Sequence, residues 1–147
     1  MDLTTPLSGP NRAQSAKSKH TVLVVDDEDV VRSFVRRVLE RCGYEVLEAA
    51  DGPPVADILR SERSRISAVV LDYSMPGMSG AEVFEALRLS DPDMPVVFTT
   101  GYDVGEALGS LADGPSTRCI QKPFSPSLLT EILHDMLEPE PLLGELA

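Results

Sequence analysis

The chain has 147 residues, of which 42% are hydrophobic and 25% are charged. This length and this balance indicate one globular domain with an ordinary apolar core, and they exclude a largely disordered chain. The formal net charge of −11 argues against nucleic-acid backbone binding as the main function, because phosphates repel an acidic surface.

Membrane insertion and secretion are also disfavoured. No apolar run approaches the roughly 18 residues that a membrane-spanning helix needs, and the N-terminus lacks the apolar stretch of a signal peptide. The two cysteines, Cys42 and Cys119, have neither the spacing of zinc ligands nor that of a disulfide framework. We therefore expect a reduced, cytoplasmic protein.

The first elements follow from composition and periodicity. Residues 1–19 are rich in Ser, Thr, Pro, Gly and Lys and predict a flexible arm. Residues 21–25 form an apolar, β-branched run, typical of a strand buried on both faces, which stops at Asp26 and Asp27. Over residues 28–42 the apolar positions recur at helical spacing, which predicts an amphipathic helix.

The alternation of strand and helix continues through the middle of the chain. The pattern predicts a strand over residues 44–50, a helix over 55–63, a strand over 68–71 and a helix over 81–89. The third strand again stops at an acid, Asp72, so two strands carry aspartate at the same end.

The last third of the chain repeats the alternation. A fourth strand is predicted over residues 95–99, followed by a weaker helix over 104–111 that two glycines dilute. A short fifth strand over 118–121 and an apolar helical stripe over 128–137 complete the pattern.

Five strands that alternate with five helices predict an α/β fold. Because the strands are continuous apolar runs, they indicate a parallel sheet covered by helices on both faces. Ligands bind such sheets beyond the carboxyl ends of the strands. Those ends carry Asp26, Asp27, Asp72, Thr100 and Lys122.

These residue types predict a specific chemistry. Three carboxylates at one edge would repel each other unless a cation lay among them. Mg²⁺ typically binds one or two carboxylates plus a phosphate, which suits Asp27 and Asp72 with Asp26 in support. Lys122 and Thr100 would steady phosphoryl oxygens, and carboxylates are competent nucleophiles. The residues therefore predict magnesium-dependent phosphoryl transfer to an aspartate.

Each residue also has a structural interpretation. The acids at positions 26, 27 and 29 can cap the first helix. Asp72 can begin a turn, Thr100 can be an ordinary strand-end residue, and Lys-Pro is a common dipeptide. The functional interpretation is favoured because four separate strand ends deliver complementary chemistry to one edge.

Four motifs together resemble the receiver domain of two-component response regulators, over roughly residues 20–138. They are VLVVDDED at 22–29, VVLDYSMPGMSG at 69–80, VVFTTG at 96–101 and QKPF at 121–124. Any one of them would be a weak signal, but four in the correct order and context are specific. The residues at 101–103 and 120–124 are similar to those of receivers attached to hybrid histidine kinases.

The resemblance implies a flavodoxin-like fold, with five parallel strands in the order 2-1-3-4-5 and helices on both faces of the sheet. It also implies the organisation of the chain. The flexible arm at 1–19 would precede a receiver domain at 20–138, and a flexible tail at 139–147 would follow it.

The resemblance assigns roles to the residues at the sheet edge. Asp72 would accept phosphate from a phosphohistidine, and Thr100 and Lys122 would contact the phosphoryl group. The ligands of the Mg²⁺ ion would be Asp26, Asp27, Asp72 and the backbone carbonyl of Ser74.

The implied partners are proteins. A histidine kinase or a histidine phosphotransfer protein would be the donor, and phosphorylation would draw Thr100 inward and change a downstream face. That face consists of the fourth and fifth predicted helices and the fifth strand. We expect a monomer or weak dimer that assists its own phosphorylation and dephosphorylation without being a turnover enzyme. We also expect no DNA-binding output domain and no nucleic-acid or membrane partner.

One position departs from the family's pattern. Receivers commonly carry Tyr or Phe three residues before the lysine, where this chain has Cys119. Coupling between Thr100 and the downstream face through an aromatic ring is therefore in question. We interpret Cys119 as a small core residue rather than a redox group.

Two other functions stay open. A haloacid dehalogenase-like phosphatase also uses an aspartyl phosphate, magnesium, a threonine and a lysine. It would need an acidic pair at a strand end after the lysine, whereas Glu131 and Asp135 fall in the last helix pattern, and it leaves Asp72 unexplained. A degenerate receiver that acts only as a docking scaffold is disfavoured because all five site residues are present.

Overall fold

The computed structural model describes residues 20–75, 80–101, 114 and 116–138. The predicted arm at 1–19, the fourth predicted helix at 104–111 and the predicted tail at 139–147 lie outside the described residues. Within the described part of the chain, no helix combines the length and the apolar character that crossing a membrane requires.

Strands and helices alternate from the first strand to the fourth along the described residues, and the fifth strand and the last helix follow. Their order is β1 (Thr21–Val25), α1 (Asp29–Arg41), β2 (Glu45–Ala49), α2 (Gly52–Glu62), β3 (Ile66–Asp72), α3 (Gly80–Ser90), β4 (Val96–Thr100), β5 (Thr117–Gln121) and α4 (Pro126–Leu137). A short 3₁₀ turn, Arg63–Arg65, joins α2 to β3. The helix α4 is the fifth helix predicted from the sequence. The bounds differ from the predicted ones by three residues or fewer, and the largest difference is that α2 begins at Gly52.

The five strands form one parallel sheet in the order β2-β1-β3-β4-β5. This confirms the flavodoxin-like order expected from the resemblance. The chain passes from β1 outward to β2, and then returns across β1 to form β3 on the other side. The strand order therefore reverses between β1 and β3, and the carboxyl ends of these two strands border the crevice where such folds bind ligands.

Both faces of the sheet are covered. All five residues of β1 are buried, with Leu23 and Val25 in one apolar cluster and Val22 and Val24 in the other. Alternate residues of a strand point to opposite faces, so each face receives its own layer of side chains. On the first face the layer includes side chains of α2 and α3 (Val55, Val83, Phe84 and Leu87). On the second face it includes side chains of α1 and α4 (Val35, Leu39, Leu129 and Leu133).

The start of α4 shows why this helix is longer than its apolar stripe. Ser125 precedes the helix in an extended conformation, and its side-chain oxygen accepts a hydrogen bond of 3.1 Å from the amide of Leu128. Pro126 occupies the first helical position, where its missing N–H has no consequence. The cap and the proline therefore set the helix start two residues before the apolar pattern begins.

Candidate functional site

The register of the sheet brings two aspartates together. Val25 and Leu71 are paired at the end of the β1–β3 ladder, so Asp26 comes next to Asp72, the last residue of β3. Both residues are only 3% exposed. Because parallel strands end at the same edge, two acids far apart in sequence lie side by side, buried at the place where the strand order reverses.

Asp27 completes an acidic cluster at this edge. One carboxylate oxygen from each of Asp26, Asp27 and Asp72 lies within 4.8 Å of the other two. Asp27 is exposed, whereas the other two acids are buried. A set of carboxylate oxygens that is open to solvent at Asp27 suits a hard divalent cation such as Mg²⁺, which keeps several bound waters. The residues therefore fit the predicted metal.

Lys122 supplies the positive charge at the site. Its Nζ lies 3.2 Å from Asp26 Oδ2 and 3.5 Å from Asp72 Oδ1, and it also lies 3.6 Å from Glu28 Oε1. The Lys122 side chain is 20% exposed. Its backbone amide donates a 2.7 Å hydrogen bond to the carbonyl of Thr100, which joins the ends of β4 and β5. One ammonium group thus faces three carboxylates.

Burial and mutual repulsion change the ionisation of the site. Burial is the main reason that the pKa of Asp26 is raised. Burial also raises the pKa of Asp72, and with the negative charge of Asp26 it brings that pKa to about 6. Burial alone would lower the pKa of Lys122, but the attraction of Asp26 and Asp72 outweighs it and the pKa is raised. The edge holds more negative charge than its lysine balances, and a divalent cation would relieve that excess.

Local hydrogen bonds orient the two buried carboxylates. Asp26 Oδ1 accepts from the Glu28 amide at 2.8 Å, and Asp72 Oδ1 accepts from the Ser74 amide at 3.2 Å. Each aspartate thus binds the amide two residues ahead, the pattern of an Asx turn. This places Ser74 beside the cluster, while the role of its carbonyl as a metal ligand stays a prediction.

Thr100 occupies the last position of β4 and is fully buried. Asp72 pairs with Thr99, so Thr100 is one position further toward the carboxyl edge. The structure therefore gathers the side chains of the three predicted acids and Lys122, and it joins Thr100 to Lys122 through the backbone. A contact between Thr100 and a phosphoryl group stays a prediction.

Sequence reasoning missed Arg32, which supports the site from α1. Its Nη1 donates to the Asp26 carbonyl at 2.7 Å, and its Nη2 and Nε contact Asp29 and Glu48 at 2.5 and 3.0 Å. The spacing of Asp29 and Arg32 along one helix predicts their ion pair. No sequence pattern indicates the contact with Asp26, because it depends on how α1 leaves β1.

Gly80 was also missed, although it lies within the motif at 69–80. A Cβ atom at this position would lie 2.4 Å from the Asp72 carbonyl oxygen and 2.6 Å from the Tyr73 Cα atom. These are backbone atoms that cannot move aside, so the first turn of α3 passes the end of β3 only because residue 80 lacks a side chain. Gly80 therefore allows α3 to begin close to the end of β3 that carries Asp72.

Cys119 behaves as a packing residue. It pairs with Phe98 in the β4–β5 ladder and packs against the apolar cluster on that face. Burial raises the pKa of its thiol to about 11, so the thiol is protonated at neutral pH. A protonated thiol is a poor nucleophile, which supports the interpretation of Cys119 as a core residue.

Comparison with known proteins identifies relatives over most of the chain. A family model for the response regulator receiver domain matches residues 22–134. Sensor kinase CckA from Brucella abortus (strain 2308) is 34% identical over 127 residues, which are 86% of this chain and 13% of the kinase. Response regulator MprA from Mycolicibacterium vanbaalenii is 40% identical over 116 residues, 78% of this chain and 48% of MprA. The chain spans less than half the length of these curated relatives.

Solved structures agree with the fold. Chemotaxis protein CheY4 of Vibrio cholerae has a TM-score of 0.70 at 30% identity, covering 80% of this chain and 98% of CheY4. The receiver domain of the hybrid histidine kinase CckA has a TM-score of 0.67 at 33% identity, covering 80% of this chain and 99% of that domain. The family match, the relatives and the shared fold agree, and this chain therefore belongs to the response regulator receiver domain family of two-component signalling.

Proposed function

We propose that this chain is the phosphoacceptor of a two-component phosphorelay. Asp72 receives a phosphoryl group from a phosphohistidine on a histidine kinase or a histidine phosphotransfer protein, in a reaction that requires Mg²⁺. One observation supports this most strongly. The Asp72 carboxylate is buried at the carboxyl edge of the sheet, within 3.5 Å of an ammonium group and beside two further acids.

The transfer forms one bond and breaks one. A carboxylate oxygen of Asp72 attacks the phosphorus atom, and the P–N bond to the donor histidine breaks with its electron pair left on the imidazole nitrogen. A Mg²⁺ ion would be held here by Asp26, Asp27, Asp72 and the Ser74 carbonyl, and it would supply positive charge to offset the negative charge of the acids and of the phosphoryl oxygens. The product is a mixed anhydride on Asp72.

Lys122 and Thr100 act on the phosphoryl group itself. The Lys122 ammonium is shared between Asp26 and Asp72 before transfer, and it turns to a phosphoryl oxygen once the Asp72 carboxylate has been phosphorylated. The Thr100 hydroxyl moves toward another phosphoryl oxygen. The same groups can later orient water for hydrolysis, so the chain assists its own phosphorylation and dephosphorylation without turning over a substrate.

The output of the switch is a change in protein contacts. The movement of Thr100 alters the face formed by β5, α4 and the fourth predicted helix, which lies outside the described residues, and a downstream protein binds there. We propose that residues 20–138 form the receiver domain and act as a monomer or weak dimer. We also propose a cytoplasmic location, where Cys42 and Cys119 would stay reduced.

The phosphatase alternative has less support. Its acid after the lysine would come from Glu131 or Asp135, and both are exposed on α4. Asp72 is one of the two buried acids of the cluster, and that mechanism gives it no role.

The test is intact-mass spectrometry after incubation with acetyl phosphate, with and without Mg²⁺. We expect one phosphoryl addition to the parent that requires Mg²⁺ and is lost in Asp72→Asn. Asp135→Asn is the matched control, because it removes an exposed aspartate on α4 and should leave the addition unchanged. No addition to the folded parent would favour the scaffold function, and turnover of phosphate esters that depends on Asp27 would favour the phosphatase.

A further inference from the structure

Glu28 brings a fourth carboxylate to the mouth of the site. Its Oε1 lies 3.6 Å from Lys122 Nζ, close to the 3.5 Å between Asp72 Oδ1 and the same nitrogen. The Glu28 side chain is 60% exposed, whereas the Asp72 side chain is 4% exposed. Among the acids that the structure describes at Lys122, Glu28 is therefore the one on the solvent side.

The backbone of Glu28 begins α1, but its side chain does not cap the helix. Glu28 is the residue before α1, with an extended backbone, and its carbonyl accepts the first helical hydrogen bond from the Arg32 amide at 2.9 Å. Side chains at this position usually accept a hydrogen bond from the amides of the first turn. The Glu28 side chain makes no such bond and contacts Lys122 instead.

We propose that Glu28 is a positioning residue that competes with the incoming phosphoryl group for the Lys122 ammonium and slows uptake from small anionic donors. This inference rests on the proposed function of Asp72. Lys122 must turn from its carboxylates to the phosphoryl oxygens, and the charge of Glu28 opposes that turn. The same charge repels small anionic donors at the exposed mouth of the site. This repulsion is stronger for a dianionic donor than for a less charged one.

The first test compares rates of phosphorylation with two small donors in Mg²⁺ buffer. Glu28→Gln should raise the rate with acetyl phosphate by about three- to ten-fold, a size typical of one charge at a partly exposed site. The gain should be smaller with phosphoramidate, which carries less negative charge, and it should shrink at high salt, because salt screens exposed charges. Glu28→Asp, which keeps the charge, should stay close to the parent.

The control is Glu85→Gln, which removes an exposed glutamate from α3 and should change neither rate. A purely structural effect of Glu28→Gln would alter the rates with both donors equally and at every salt concentration. That result, or an unchanged or slower rate with acetyl phosphate, would overturn the inference.

The second test needs neither donor nor metal. A double-mutant cycle of Glu28→Gln and Lys122→Met, measured by urea unfolding, should show favourable coupling of about two- to five-fold in the unfolding equilibrium constant. Absence of coupling would overturn the inference whatever the rates are. A folded parent that takes up no phosphoryl group would instead contradict the proposed function, and the cycle would then decide whether Glu28 holds Lys122.

Discussion

Polar groups are arranged differently at the two edges of the sheet, where the amino ends and the carboxyl ends of the strands lie. At the amino edge, His20 Nδ1 lies 3.1 Å from Ser67 Oγ, which also accepts from the Thr21 amide at 3.4 Å. His20 Nε2 lies 3.6 Å from Glu138 Oε2. At the carboxyl edge, one lysine faces three carboxylates, two of them buried.

The difference separates structural polar groups from functional ones. Polar groups at the amino edge contact one another, and these contacts join β1 to β3 and to the end of α4. At the carboxyl edge, like charges lie close together. Their repulsion lowers the stability of the metal-free protein, and a bound divalent cation would relieve it. Variants at the two edges should therefore differ in the size and the sign of their effects on stability.

The largest effect is expected from removing the cation of the carboxyl edge. Lys122→Met should lower the free energy of unfolding by about 2–4 kcal/mol without metal at neutral pH, because it leaves Asp26 and Asp72 buried and uncompensated. The loss is smaller than for a fully buried pair because Lys122 is partly exposed to solvent. Urea denaturation measures the change.

The matched control removes a cation from an exposed pair. Arg60 contacts Asp57 on α2, and their side chains are 72% and 77% exposed. Arg60→Met should change stability by no more than about 0.5 kcal/mol. An equal loss in the two variants would mean that the carboxyl edge carries no special electrostatic cost.

The second effect has the opposite sign. Asp72→Asn should stabilise the metal-free protein by about 1–3 kcal/mol at pH 7.5, since folding raises the pKa of Asp72 from 3.8 to about 6. At pH 7.5 the ionised Asp72 carboxylate therefore lowers the free energy of unfolding of the metal-free protein. This cost falls as the pH drops below 6, because the folded protein takes up the proton first, and it is gone below 3.8.

Urea denaturation in the presence of a chelator, at pH 7.5 and pH 4.5, tests the sign. The advantage of Asp72→Asn over the parent should be clearly smaller at the lower pH, and Asp135→Asn should show neither effect. A variant that is less stable than the parent at pH 7.5 would show that the Asp72 carboxylate stabilises the fold, and that the carboxyl edge carries no electrostatic cost.

The third effect comes from metal binding. Mg²⁺ at ten times its dissociation constant should stabilise the parent by about 1.4 kcal/mol, because only the folded state presents the assembled site. Asp27→Asn should lose most of this gain and leave the metal-free stability nearly unchanged, since Asp27 is exposed. Thermal melting with and without Mg²⁺ measures both quantities, and equal metal stabilisation in parent and variant would remove Asp27 from the ligand set.

The smallest effect belongs to the amino edge. Ser67→Ala removes the hydroxyl shared by His20 and the Thr21 amide, and it should lower the free energy of unfolding by about 0.5–1.5 kcal/mol. Stabilisation by Mg²⁺ and phosphoryl uptake should stay at parent values. A change in either would mean that the two edges are coupled through the sheet.

The sequence predicted the elements that carry the strongest local signals. The run Thr21–Val25 was predicted with its observed bounds, because a strand buried on both faces needs an unbroken apolar segment and the acids after it end the segment. The meeting of Asp26 and Asp72 follows from the same logic, since parallel strands share a carboxyl edge. The predicted start of α2 was three residues too late, because Gly52 and the two prolines that follow it carry no apolar periodicity.

The supporting residues could not be predicted, because their contacts depend on distances between elements. Glu28 reaches Lys122 across most of the length of the sequence, and Arg32 reaches the Asp26 carbonyl from the next helix. Gly80 is required by the close approach of α3 to the end of β3, which a glycine before a helix does not by itself reveal. The strand ends in the sequence thus predict which groups lie together, whereas the packing between elements determines which residues hold those groups in place.

The central claim is that Asp72 is the phosphoacceptor. After incubation with acetyl phosphate and Mg²⁺, reduction with borohydride converts a phosphorylated aspartate to homoserine, and peptide mass spectrometry locates that residue. We expect homoserine at position 72 alone, and only when Mg²⁺ is present. Homoserine at position 26 or 27 instead, or the same yield at position 72 without Mg²⁺, would contradict it.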